Sequence, residues 1–174
     1  MENSPNVLTL SRLLIRGLIG LNALYAFILA GLLIATLISP QLLFKALAGL
    51  EGGENWQTHA ALRGVVTLGL IGALVTHRVL RELQGIVASV HIGDPFVAAN
   101  AGRLRTIAWW VLTGEVLRIG VASLVWGASR YVPSIGQVHV GFSFAPWLAV
   151  LLLFVLASVF DQGARMRADL EGTV

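Results

Sequence analysis

Glu115 and Arg118 have the most obvious chemical potential in this chain, because they interrupt an otherwise apolar run from Thr106 to Ser129. A charge near the centre of a bilayer is costly, so such residues face a partner or a cavity. Three residues apart on one helix, an acid and a base share a face and can neutralise each other. Three readings stand for this intramembrane polar pair: a structural ion pair, a proton or ion route through Glu115, or a contact with another membrane subunit. A route calls for further polar groups on facing helices. Asn22, Thr67 and Thr76 are available, but no second acid lies within an apolar run.

Little else resembles a reaction centre. The chain has no cysteine, which excludes disulfides, thiolate nucleophiles, Cys-ligated metal and CxxCH haem attachment. His59, His77, His91 and His139 have no i, i+4 partner in a metalloprotease pattern and are split between opposite ends of the apolar runs. No GxSxG, P-loop or GxGxxG motif is present. No catalytic residue, cofactor or metal site is expected, and the chain reads as non-enzymatic. Trp56, Trp109, Trp110, Trp126 and Trp147 lie near the ends of apolar runs and read as interfacial anchors.

The elements that must position the polar pair are membrane helices. Of 174 residues, 56% are hydrophobic and 12% charged, against about 25% charged in soluble domains. So few charges could hardly build a water-soluble shell. The net charge of +3 comes from basic residues that mostly flank apolar segments, where they suit anionic lipid rather than direct nucleic-acid binding.

A helix rises about 1.5 Å per residue and the hydrocarbon core is about 30 Å thick, so a span needs roughly 20 apolar residues. Four are expected, at about 13–38, 60–81, 106–129 and 142–162, in a single membrane domain over 1–174. Arg12 and Arg16 ahead of an apolar run, with Ala46-Leu47-Ala48 beyond it, suggest a cleavable leader. However, Gly17 to Phe44 is 28 residues without formal charge, longer than the roughly 7–15 of a leader's apolar core. A permanent anchor is expected, ending at Ser39-Pro40 because proline disfavours helical geometry in its predecessor. The second span has a charge-free centre of only 13 residues, Gly64 to Thr76, and needs Arg63 and Arg78 to reach toward the two interfaces. The fourth has 21 uncharged residues, Val140 to Phe160, with Pro146 in its first helical turn. Val138 to Phe144 alternates and can instead be extended, which shortens that helix.

Charge counting sets the topology. Arg12, Arg16, Arg78, Arg81, Arg103, Arg105, Arg165 and Arg167 fall on one side, and Lys45, Arg63 and Arg130 on the other. The positive-inside rule places the larger set, and both termini, in the cytoplasm. The two outer loops are short. Ser39 to His59 carries Glu51, Gly52, Gly53 and Glu54, and Arg130 to His139 has the turn residues for a small β-hairpin before span four. Small-xxx-small pairs at Ala26/Ala30, Gly69/Ala73 and Ser123/Gly127 suit close helix packing or a homo-oligomer.

The connection 78–105 is the most structured-looking segment outside the apolar runs. Leu80, Leu83, Ile86, Val87 and Val90 recur at three- and four-residue steps, so span two should continue as an amphipathic helix. Gly93 breaks it. Asp94-Pro95 then matches a helix start, with a capping carboxylate followed by proline at the first helical position. Phe96, Val97, Ala101 and Leu104 would face the first helix, and Asn100, Arg103 and Arg105 would lie at the base or outer face of a cytoplasmic helical hairpin. Asp94, Pro95, Phe96, Asn100, Arg103 and Arg105 form the candidate docking surface, although the hairpin could equally serve only to connect two spans.

Gly93-Asp94-Pro95-Phe96, then Asn100, then Arg103-Leu104-Arg105 before a span with paired tryptophans, together with Phe160-x-x-Gly163-Ala164-x-Met166-Arg167-x-Asp169-Leu170-Glu171-Gly172-Thr173-Val174, resembles the bacterial membrane proteins grouped as domain of unknown function 2975. Gly172 departs from the more usual acidic residue there. The resemblance implies a four-helix protein of the bacterial inner membrane, often encoded beside a small Cro-like helix-turn-helix regulator. The fold expected is thus an all-α integral membrane protein, a four-transmembrane-helix bundle with both termini cytoplasmic. The function expected is regulatory docking of a soluble partner such as a small helix-turn-helix transcription factor. An accessory subunit of a larger membrane complex, and a small proton or ion transporter using Glu115, are the alternatives.

Overall fold

Apolar runs of this length can satisfy their backbone groups in lipid only by helical hydrogen bonding or closed barrels, and the chain takes the first course. The computed structural model describes residues 4–39, 56–92, 96–129, 141 and 143–171. Four helices account for nearly all of them: α1 (Ser4–Ile38), α2 (Trp56–His91), α3 (Ala98–Ser129) and α4 (Ala145–Glu171). Each is long and apolar enough to cross a membrane, with mean hydropathy of 2.3, 1.5, 1.4 and 1.9 over its most apolar window. No strand occurs among the described residues.

The helices outrun the apolar segments that predict them. α1 begins at Ser4 rather than near Leu13 and stops at Ile38 as expected. α2 continues past Arg81 to His91, and α3 begins ahead of Thr106. α4 is 27 residues long with Pro146 in its first turn, so it is not shortened by its entry segment. The start of α3 differs from expectation. Phe96 and Val97 are not helical, and the Val97 carbonyl accepts from the Asn100 amide at 2.9 Å. Val97 therefore stands at the cap, and α3 opens at Ala98. Residues 93–95, and the loops 40–55 and 130–140 with the expected β-hairpin, lie outside the described residues.

Two compact units divide the chain. The first takes the described residues of Met1–Asn22, Val75–Thr113 and Ser143–Val174; the second takes those of Ala23–Leu74 and Gly114–Phe142. In the first, Ile15, Val75, Leu80, Leu104, Ile107 and Val150 are buried together with Ala101, Ala108 and Ala157. Alanines at the centre let helix backbones approach closely. The largest fully buried side chain is nevertheless polar, Asn100. The outward faces are apolar: Leu13, Leu21, Phe27, Leu74, Leu151 and Leu152 are all more than half exposed. That inversion suits a hydrocarbon solvent and would be a liability in water.

In the second unit, α2 is flanked by α1 and α3. A Cβ on Gly69 would lie 2.9 Å from Leu29, and one on Gly64 would lie 3.0 Å from Leu124. Of the small-residue pairs, Gly69/Ala73 thus makes a close approach within the chain, whereas a Cβ on Gly127 would meet nothing within 4 Å. Arg63 does not simply reach toward an interface. Its guanidinium donates to the Thr36 carbonyl at 2.8 Å. The usual helical donor to that carbonyl would be residue 40, which is Pro40 and has no amide hydrogen. Arg63 supplies the missing donor, placing a cation at the negative end of α1. Arg63→Gln should therefore destabilise the protein by about 1–3 kcal/mol, with Arg63→Lys less damaging. Tryptophan-fluorescence thermal unfolding in detergent would measure both.

Candidate functional site

The first unit contains a polar network where the sequence leads one to expect part of a docking surface. Asn100 is on the first turn of α3, with no solvent exposure. Its Nδ2 donates to Ser89 Oγ on α2 at 2.6 Å, and Ser89 Oγ donates to the Ile86 carbonyl at 2.7 Å. Its Oδ1 accepts from Arg103 Nη1 at 2.8 Å, and the same nitrogen donates to the Gly85 carbonyl at 3.0 Å. Arginine has no acceptor, so the amide oxygen must face it, which leaves the amide nitrogen for Ser89. The two hydrogens of Arg103 Nη1 serve two acceptors, one on each helix. Gly85 is required by this geometry, since a Cβ there would lie 2.8 Å from Arg103 Nε.

A second contact set joins α4 to the same region. Phe96 packs on Phe160 with ring centroids 5.3 Å apart, and a Cβ on Gly163 would lie 3.1 Å from the Phe96 ring. Phe96 thus packs on α4 rather than on the α2 face expected for it. Arg105 pairs with Asp161 at 3.3 Å, and Arg165 pairs with the same carboxylate oxygen at 2.6 Å. Trp109 meets Phe154 edge to face at 5.7 Å.

The candidate docking residues therefore separate by role. Asn100 is wholly buried and cannot itself touch a docked molecule in this arrangement. Arg103 ties α2 to α3 rather than lying free on an outer face. Phe96 is 46% exposed although it packs on Phe160, and Arg105 is half exposed beside Asp161. Asp94 and Pro95 lie outside the described residues. The sequence reading missed Gly85, Ser89 and Asp161 as partners. Ser89 sits among the apolar repeat Ile86, Val87 and Val90, and a hydroxyl there is a legible signal of an inward polar contact. Asp161 and Arg165 form an i, i+4 pair that was equally legible.

Glu115 and Arg118, in the second unit, form a bidentate pair with distances of 2.9 and 2.6 Å. The Glu115 side chain is 5% exposed and that of Arg118 43%. Both carboxylate oxygens are engaged by the fork of one guanidinium, the strong geometry for such a pair. Of the histidines, His77 accepts from Arg81 Nε at 3.3 Å, and His139 lies outside the described residues.

Four helices apolar and long enough to cross a membrane, with an outward apolar surface, define a multi-pass helical membrane protein. Within that class, the family described as protein of unknown function (DUF2975) matches residues 46–174, and the chain belongs to it. No curated protein and no solved structure matches the chain. The two short motifs behind the sequence resemblance are far apart along the chain, yet they meet through Phe96, Phe160, Gly163, Arg105 and Asp161.

Asn100→Leu removes both a donor and an acceptor and leaves the half-buried Arg103 without its side-chain acceptor. A loss of about 1–3 kcal/mol is expected, read as lower thermal stability in detergent. Gly85→Ala should also lower stability by displacing Arg103, against the usual gain of Ala over Gly in a helix.

Proposed function

We propose that this chain is a non-enzymatic regulatory docking protein of the bacterial cytoplasmic membrane, with both termini inside. Its inner face holds a soluble partner such as a small helix-turn-helix regulator. The observation that carries this reading is the gathering of Phe96, just ahead of α3, with Arg105 on α3 and Asp161 and Arg165 on α4. An aromatic ring and two guanidinium groups stay accessible there, backed by the buried Asn100 network. A rigid support beneath exposed aromatic and arginine side chains is the arrangement that makes a productive contact surface. The orientation rests on the eight basic residues of one side against three on the other.

Affinity recovery from membranes tests the proposal. The tagged wild type should retain a specific soluble partner, and the double substitution Asp94→Ala with Phe96→Ala should reduce recovery at least about tenfold, the equivalent of one good interface contact. Undiminished recovery by the double variant would remove this surface from the mechanism. Failure of the wild type to retain any partner would reject docking.

One observation favours a second reading, an accessory subunit of a larger membrane complex or a homo-oligomer. Arg118 keeps 43% of its side chain exposed within a span, and a guanidinium so placed calls for company in the membrane. Native-detergent mass measurement should then show an assembly that Arg118→Leu dissociates. A monomer in both cases would end this reading. Transport through Glu115 finds less support, because a single arginine engages both carboxylate oxygens.

A further inference from the structure

An open cavity of about 420 Å³ lies in the first unit, lined by Arg12 and Arg16 of α1 and by Arg81, Gln84, Gly85 and Ala88 of α2. Three guanidinium groups converge there, and no carboxylate lines the space. Arg12 and Arg16 make no hydrogen bond or ion pair among the described residues. Arg81 uses only Nε, toward His77, so its two terminal nitrogens remain for a ligand. The spacings explain the shape. Arg12 and Arg16 are one turn apart and share a face of α1. Arg81, Gly85 and Ala88 share a face of α2, and the short Ala88 side chain leaves room where a larger one would fill it.

Uncompensated cations held together repel one another, and an anion relieves that repulsion. A carboxylate is satisfied by the fork of one arginine. Three forks and a Gln84 amide offer more donors than two oxygens can accept, which favours the oxygen-rich phosphate group. The cavity exceeds what inorganic phosphate alone would fill and falls within the usual range of small-ligand sites. Leu13, next to Arg12 and 68% exposed, extends apolar surface beside the arginines for an acyl chain. We propose that this cleft binds the phosphate of an anionic phospholipid headgroup. Basic pockets between membrane helices recognise headgroups by this chemistry, and the site lies on residues separate from the Phe96 and Asp161 cluster.

The test uses the full-length protein, purified and delipidated in a neutral detergent. It is titrated in parallel with phosphatidylglycerol, phosphatidylcholine, inorganic phosphate and pyrophosphate, with bound ligand read by native mass spectrometry and stability by thermal unfolding. Wild type should prefer phosphatidylglycerol over phosphatidylcholine by about tenfold or more, and the preference should weaken with salt. Arg12→Gln, Arg16→Gln and Arg81→Gln should each reduce it and together abolish it. Arg78→Gln, a nearby basic residue that does not line the cleft, should leave it unchanged.

Stabilisation by inorganic phosphate or pyrophosphate that needs the same arginines, without a lipid preference, would uphold the phosphate site and assign it to a soluble ligand. Equal loss with Arg78→Gln would reduce the effect to general surface charge and overturn the site. So would a preference that survives all three cleft substitutions. Wild type lacking saturable binding of every phosphate probe overturns it directly, whatever the variants do to folding.

Discussion

Satisfying polar groups without water is the constraint on which this structure rests. In hydrocarbon a helix meets its own backbone needs, and wherever packed helices exclude solvent, side-chain amides, guanidinium groups and truncated helix ends have only one another to turn to. The chain answers with short local exchanges, although Arg63 Nε stays buried without a partner among the described residues. Asn100 bridges Ser89 and Arg103, so the α2–α3 junction is held by complementary donors and acceptors as well as by apolar contact. Arg63 supplies the donor that Pro40 lacks to the end of α1. Glu115 spends both carboxylate oxygens on Arg118. Each exchange stays within one of the two compact units, and each would be costly to leave half made.

The remaining packing follows from that economy. Where apolar side chains gain little by leaving lipid, close approach of backbones and side-chain hydrogen bonds must do more. Alanines at positions 101, 108 and 157 are almost wholly buried, while large aliphatic residues face outward. Gly85 and Gly163 matter for the same reason, since each leaves space for a specific partner, Arg103 in one case and Phe96 in the other. The first unit therefore combines a rigid interior with exposed aromatic and basic groups.

Much of the fold was legible because one-dimensional quantities control it. Span number follows from apolar run length, and the end of α1 at Ile38 follows from Pro40. The Glu115–Arg118 pair follows from a spacing of three on a helix. The start of α3 was not legible. Asp94-Pro95 is a sound local signal, but Phe96 packs against Phe160 from a distant helix and the cap falls at Val97. The placement of Asn100 was misread for a related reason: a polar residue beside a helix turn looks exposed until a half-buried serine and arginine are found to bond it.

By itself, then, the sequence determined a four-span helical membrane protein, its intramembrane ion pair and the residues by which its family is recognised. These depend on hydropathy, helical periodicity and local chemistry, all properties of neighbours along the chain. Tertiary structure alone decided that Asn100 is sealed inside while Phe96 stays accessible. It also decided that Asp161 meets Arg105, and that Arg12, Arg16 and Arg81 face one cavity instead of merely lining a membrane surface. Those outcomes depend on which faces of separate helices meet, and helices of similar apolar character offer many pairings that no local pattern distinguishes.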